Sequence, residues 1–412
     1  MKELRDYQSD IALRASMKLK MLSIVYLAME VRTGKTATAL EVCRILGAKK
    51  VLFLTKKKAI TSIEDDYKDF GFTFELQVIN NESLHYVADD DFNILISDEH
   101  HRVGGSFPKP SKMAKDIRQR FSHLPMIFLS GTPTPESHSQ IYHQFWVSDH
   151  TPFREGNFYR WAKKYVNIYQ VDFGYGKVNN YSRGIEEMIK RVTDPYFLTF
   201  TQSKAGFETQ VNENVLMVEM ERSTYEVAER LKKDRVIQSA SGDIVADTAV
   251  KLMIKLHQIY SGTIKFEDGK SIVFDKSKAE YISIHFEGVK IAIFYKFKEE
   301  LNALRAVFGD NITESLDEFN STSKNIALQI VSGREGISLR NAKYLVYYNI
   351  DFSAVSYFQS RDRMTHMNRP VNDIYWVFSK RGIESAIYRA VINKKNYTTN
   401  IFRRDYEIPR ES

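Results

Sequence analysis

Three short strings place residues of matched chemistry at the ends of apolar runs. Ala28-Met29-Glu30-Val31-Arg32-Thr33-Gly34-Lys35-Thr36 follows one such run and opens a helical pattern. Gly34 permits a tight turn against a phosphate, and the helix start beyond it offers free N–H groups and a positive dipole end. Lys35 has the reach to neutralise β- and γ-phosphate oxygens, and the Thr36 hydroxyl can ligate Mg²⁺. Arg32 and Thr33 complete the loop, while Met29 stands where such loops begin with glycine. Ile94-Leu95-Ile96-Ser97-Asp98-Glu99-His100-His101 ends a second apolar run in adjacent carboxylates. Asp98 suits the Mg²⁺ shell, and Glu99 suits orientation and deprotonation of an attacking water; the plain alternative is an exposed acidic turn. A metal role for His100 and His101 is disfavoured, because adjacent side chains diverge and no other ligand pair has metal spacing. In Leu129-Ser130-Gly131-Thr132-Pro133-Thr134-Pro135, hydroxyls sit on a turn braced by Gly and Pro. They suit a relay between nucleotide state and the rest of the domain.

Positioning these strings requires buried parallel strands alternating with helices. Leu22–Ala28, Val51–Thr55, Leu76–Ile79, Ile94–Ser97 and Met126–Ser130 carry apolar residues at successive positions, as strands covered on both faces do. Ile291–Tyr295, Ile326–Val331, Tyr344–Ile350 and Ile374–Phe378 repeat that grammar. The expectation is α/β, with two doubly wound parallel-sheet lobes, at 1–150 and 281–412, and a linker and helical insert over 151–280. The insert opens aromatic and basic (Phe153, Phe158, Tyr159, Trp161, Lys163, Lys164, Tyr165, Tyr169). Later, Ser223 and Glu226 have capping-box spacing. Ala249, Leu252, Leu256 and Ile259 recur at helical spacing and read as core.

With 412 residues and 43% hydrophobic content, the chain has the makings of two folded domains. No apolar run is long enough to span a membrane, and the start has no secretory apolar segment. The lone cysteine, Cys43, excludes an internal disulfide framework and fits a reducing, cytoplasmic setting. The net charge of +7 and the pI near 9.0 suit a polyanionic partner and equally suit proteins with none.

Taken in order, these strings resemble the motif series of superfamily 2 helicases and translocases, nearest the Snf-type enzymes with a DEAH-type box and their compact bacteriophage relatives. The resemblance runs from Leu4 to about Phe378. It implies RecA-like lobes and ATP with Mg²⁺ as cofactors. Leu4-Arg5-Asp6-Tyr7-Gln8 looks like the element whose glutamine reads adenine, which makes Gln8 a nucleotide contact. Lys35 and Thr36 match motif I, Asp98 and Glu99 motif II, and Ser130, Gly131 and Thr132 motif III. Ile291–Tyr295 looks like motif IV. Val331–Leu339, with Ser332 and Gly336, looks like motif V, which in the family touches nucleic-acid backbone and nucleotide. Gln359–Arg369 looks like motif VI, with Arg363 on the first arginine of the pattern. Lys56, Lys57 and Lys58 fall at the motif Ia position, where phosphate contact is implied; a solvated loop is the alternative. Trp161–Tyr169 and Phe200–Lys204 resemble the Snf-type linker region.

The resemblance also has departures. His366 stands where the family has a second arginine, and histidine cannot make a bidentate phosphate contact. Arg361 and Arg369 are the candidate substitutes, depending on helix phase. Lys394, Lys395, Arg403 and Arg404 interleave with Tyr397 and Phe402, a pattern that fits either a nucleic-acid grip or a loose tail. The expected function is an ATP-dependent motor on double-stranded or branched DNA. Alternatives are an RNA helicase and a nucleotide-gated DNA-binding clamp or inhibitor with little hydrolysis, and a motor subunit serving separate protein partners is a further expectation.

Overall fold

The computed structural model describes residues 2–88, 91–172, 177–206, 210–239, 241–330, 339–361 and 371–393. They form two compact units, Met1–Phe207 and Glu208–Ser412. In the first, β1 (Ile24–Met29), β2 (Lys50–Thr55), β3 (Glu75–Asn80), β4 (Ile94–Ser97), β5 (Met126–Leu129) and β6 (Phe197–Phe200) make one parallel sheet. Its order is β3-β2-β4-β5-β1-β6. Alternate side chains of each strand enter different cores, which is why the strands read as unbroken apolar runs. Val25, Leu27 and Phe53 meet Ile11, Ala15 and Leu19 of helix α1 (Asp6–Leu22) and Leu40 and Val42 of helix α2 (Lys35–Ile45). Ile24, Tyr26 and Leu54 face the opposite way, onto Tyr142, Phe145, Trp161 and Tyr165.

The second unit repeats the plan. The strands are β7 (Gln210–Val218), β8 (Ile291–Tyr295), β9 (Ile312–Thr313), β10 (Asn325–Gln329), β11 (Tyr344–Tyr347) and β12 (Val371–Ser379). All pair in parallel, in the order β9-β10-β8-β11-β12-β7. Both doubly wound sheets match the expected fold class, and the strands read from sequence lie close to their expected bounds. The stripe Ala249, Leu252, Leu256, Ile259 is buried in the second unit's core.

Two local expectations change. The stretch 151–280 is shared: β6 joins the first sheet and β7 the second, so it belongs to both units. Ser223 does not cap its helix, which starts at Arg222 with Glu221 in the cap position. Asp275 holds that helix start instead, accepting from the Glu221 N–H (2.9 Å) and the Thr224 hydroxyl (2.5 Å). A buried carboxylate from a distant segment thus supplies what a local hydroxyl was expected to supply. Among the described residues, no helix is long and apolar enough to cross a membrane.

Candidate nucleotide site and its coupling loop

The chain passes from β1 to β2 by skipping over the positions of β5 and β4, so the carboxyl ends of β1, β5 and β4 border a topological switch point. All three motif-bearing loops of the first unit leave the sheet there. The loop after β1 turns twice through left-handed backbone, at Arg32 (φ 64°) and Gly34 (φ 78°), and Gly34 caps α2. The left-handed backbone at the second turn favours glycine, and a Cβ there would lie 1.9 Å from Gln8 Nε2, so a larger residue would displace the Gln8 amide. Buried Thr33 donates its hydroxyl to Glu30 O (2.7 Å), and the Lys35 ammonium donates to Met29 O (2.9 Å) and Glu30 O (3.1 Å). Thr36 sits in the first turn of α2.

Gln8 reaches the same loop. Its amide donates to Gly34 O at 3.4 Å and accepts the Arg5 N–H at 2.8 Å. The Tyr7 hydroxyl donates to Thr33 O (3.2 Å), and its ring stacks on Phe200 with centroids 4.6 Å apart. Gln202 grips the loop from another side, through Nε2 to Val31 O (2.8 Å) and its N–H to Glu30 Oε2 (2.7 Å). Sequence reasoning placed Gln202 only in a linker-like string. Its contact depends on β6 lying beside β1, and no local pattern reports that pairing.

The two acids behind β4 have split acidities. Burial, then the neighbouring Glu99 charge, push Asp98 up to about 6, against the pull of Lys35 and hydrogen bonds from Thr55 Oγ1 (2.9 Å) and the Glu99 N–H (2.9 Å). Burial also works against ionised Glu99. There, however, the charges of His101, Lys35, Lys56 and Arg102 outweigh it and hold the carboxyl below its usual range. Lys35 thus acts on both carboxylates, and Lys56 lends its charge to Glu99. Glu99 adopts left-handed backbone (φ 46°), an uncommon conformation for a non-glycine residue and one enriched at functional sites.

The two histidines diverge as expected. His100 enters the core, stacks on Phe128 at 3.7 Å and bonds Ser97 Oγ (2.8 Å) and Gln144 O (2.9 Å); burial drops its pKa to about 3, so it is neutral. His101 turns toward the loop after β5, with Nδ1 2.8 Å from Ser130 Oγ and 3.3 Å from Glu99 Oε2. Ser130 Oγ in turn accepts the Thr132 N–H at 3.1 Å. A direct chain therefore joins Glu99, His101, Ser130 and Thr132. A Cβ built on Gly131 would lie 3.5 Å from Met29 O and 3.7 Å from Val31 N, so the loop after β5 runs close beside the loop after β1.

Lys35, Asp98, Glu99, Ser130 and Thr132 are brought together, with Gln8, Arg32, Thr33, Gly34 and Thr36 on the same edge. Arg363, Gly336 and Ser332, together with His366 and Arg369, lie outside the described residues. Arg361 is committed elsewhere. Its Nη1 lies 3.3 Å from Glu213 Oε1, and Glu213 also accepts from the Tyr357 and Tyr388 hydroxyls and Trp376 Nε1.

An Mg²⁺–nucleoside triphosphate fits these residues. Thr132 Oγ1 is buried without a hydrogen-bond partner, and Glu99 Oε2 is engaged by the 3.3 Å ion-pair contact with His101 rather than by a hydrogen bond, so a hydroxyl and acceptor capacity remain for a ligand or its water. Among the described residues there is no cluster of three or more His, Cys, Asp or Glu that could hold a metal. Mg²⁺ carried on phosphate oxygens needs only one or two protein carboxylates.

Comparison with known proteins bears on the fold. No family model and no curated protein matches the chain. Among solved structures, the Hef helicase domain of Pyrococcus furiosus aligns over 94% of this chain and 97% of its own, at 14% identity and a TM-score of 0.50. The chain shares the fold of that domain, two RecA-like lobes each built on one of the two parallel sheets. The SWI2/SNF2 ATPase core of Sulfolobus solfataricus in complex with double-stranded DNA aligns over 98% of this chain and 92% of its own, at 15% identity and a TM-score of 0.44.

Proposed function

We propose that the chain is an ATP-dependent motor on nucleic acid, a DNA translocase or helicase that couples hydrolysis to movement on double-stranded or branched DNA. The observation that carries this reading is the convergence of Lys35, Asp98 and Glu99, with the Glu99–His101–Ser130 chain leading away from them. In this reading Lys35, Arg32, Thr33, Gly34 and the first N–H groups of α2 bind the phosphates, with Gln8 toward the base. Thr36 and Asp98 would hold Mg²⁺, which when bound would supply charge neutralisation on the transferring phosphoryl group. Glu99, kept ionised by its cationic neighbours, accepts the proton of the attacking water. Ser130 and Thr132 register whether Glu99 faces a triphosphate. Arg363 supplies the guanidinium of motif VI, and Ser332 and Gly336 the backbone contacts of motif V. The setting is the cytoplasm, including a host cytoplasm if the chain is viral.

Phosphate release measured with and without duplex DNA tests the reading. Expected are DNA-stimulated hydrolysis, its loss in Glu99→Gln with nucleotide binding intact, and displacement of a third strand from a triplex. Intact nucleotide binding with no stimulation by duplex, single-stranded DNA or RNA would replace the motor with a nucleotide-gated clamp.

A further inference from the structure

The helix Phe158–Tyr165 is amphipathic in an uneven way. Phe158, Trp161, Ala162 and Tyr165 are buried in the first unit's core, while Arg160, Lys163 and Lys164 share the opposite, exposed face at i, i+3 and i+4. A two-stranded antiparallel hairpin, Tyr169–Asp172 with Lys177–Asn180, follows directly. Helix and hairpin are joined by the Val166↔Gly184 bridge, by Asn167 N–H to Arg183 O (2.9 Å), and by Tyr181, whose ring packs edge-on against Phe158 and Tyr159. Arg183 lies over the Tyr169 ring at 4.0 Å, and Lys177 is exposed on the return strand. From Phe158 to Gly184 the chain carries five basic residues and one acid, Asp172. Of the five, Lys164 lies 3.3 Å from the Glu155 carboxylate, and Lys177 stands opposite Asp172 in the hairpin register. The exposed face is thus cationic, bordered by half-exposed Tyr159, and rigidly mounted.

Its mounting leads back to the nucleotide site. Ser137 and Ser139, just beyond the loop after β5, donate their hydroxyls to Ser182 O (2.7 Å) and Tyr181 O (2.5 Å) at the hairpin base. Gly184 approaches so closely that a Cβ would lie 2.9 Å from Ser139 N. On the other side, Gln144 donates to Pro133 O (2.8 Å) in the same loop that holds Ser130 and Thr132.

From this juxtaposition we infer that the exposed face of helix Phe158–Tyr165, with Lys177 of the hairpin, is a contact surface for the phosphate backbone of duplex DNA, fixed to the loop that senses Glu99. Arg160 and Lys177 lie outside every motif string, Lys163 and Lys164 fall in the linker-like string Trp161–Tyr169, and the assignment rests on the motor reading above. Point charges on a rigid helix and strand neutralise phosphates without reading bases, and tying them to the Ser130 loop lets a change at Glu99 move the grip.

The test is the triple variant Arg160→Ala, Lys163→Ala, Lys177→Ala, compared with the unaltered full chain by titration against a fluorescent duplex across a series of salt concentrations. Each lost phosphate contact lowers the slope of log K against log salt by about 0.9, so three lower it by about 2.7 and weaken binding on the order of a hundredfold near 0.1 M salt. Unchanged melting temperature reports that the fold survives. Unchanged slope and affinity, with the unaltered chain binding duplex, overturn this assignment alone. Failure of the unaltered chain to bind duplex at all overturns both the assignment and its use of the motor reading. The variant Ser139→Ala tests the linkage: duplex affinity retained while ATP no longer alters it supports the tie to the Ser130 loop, and ATP dependence equal to that of the unaltered chain refutes that tie.

Discussion

Asp98→Asn separates the energetic cost of the acid pair from its chemistry. Asp98 is held against burial and against the Glu99 charge, which together push its pKa to about 6. Relative to an unfolded aspartate near 3.9, a rise of about two units costs roughly 3 kcal/mol once the group is ionised in the fold. Residual solvent access at this partly buried side chain reduces that to about 1–2 kcal/mol. An asparagine keeps an oxygen for the Thr55 hydroxyl or the Glu99 N–H, and it removes the charge. The variant is therefore expected to melt about 2–6 °C higher than the parent at pH 7.5, while hydrolysis falls at least a hundredfold. The sign of the pH dependence follows from the raised pKa. The parent's penalty is complete above about pH 6 and disappears toward pH 4, so the melting difference must shrink as the solution is acidified. Thermal denaturation of both proteins at pH 7.5 and 5, without nucleotide or Mg²⁺, measures it. A variant less stable than the parent at pH 7.5 would refute the reasoning, because the hydrogen bonds to the carboxylate would then outweigh its burial.

Other perturbations have equally definite outcomes. Gly34→Ala forces left-handed backbone on alanine and displaces the Gln8 amide, costing about 2–3 kcal/mol; a lowered urea midpoint and lost nucleotide affinity are expected. Ser130→Ala removes the partner of His101 Nδ1 and of the Thr132 N–H. On the motor reading, stimulated hydrolysis should fall about tenfold while nucleotide affinity, followed by fluorescence titration, stays within about threefold. In the second unit, Lys278 and Glu384 form a fully buried pair at 2.6 Å. Lys278→Met leaves Glu384 unpaired and should cost about 3–5 kcal/mol in chemical denaturation, whereas adding Glu384→Leu should recover most of it.

Much of this architecture was legible because parallel strands covered on both faces announce themselves as apolar runs. Ile94–Ser97 and Ile291–Tyr295 are fully buried, and the strings attached to such runs fall at the sheet's carboxyl edge. Gln210–Val218 escaped that reading. As an edge strand it carries three consecutive polar residues, Asn212, Glu213 and Asn214, and is mostly half-buried, and its Glu213 serves as a hub for four donors from helices and strands far along the chain. Thr55, His101 and Gln202 were invisible as site residues for a related reason. Each acquires its partner from a neighbouring strand or loop, so its role is a property of strand order. The Ser223 expectation failed because a capping box is a local pattern and Asp275 outcompeted it from fifty residues away.

Gln202 also gives the first unit a particular mechanical wiring. It stands two residues beyond β6, on the stretch by which the chain departs the first sheet, and both of its hydrogen bonds end on Glu30 and Val31. A pull on that departing stretch bears on the turn after β1 as well as on the sheet, so the turn that the motor reading assigns to the phosphates also works as the anchor of a tether.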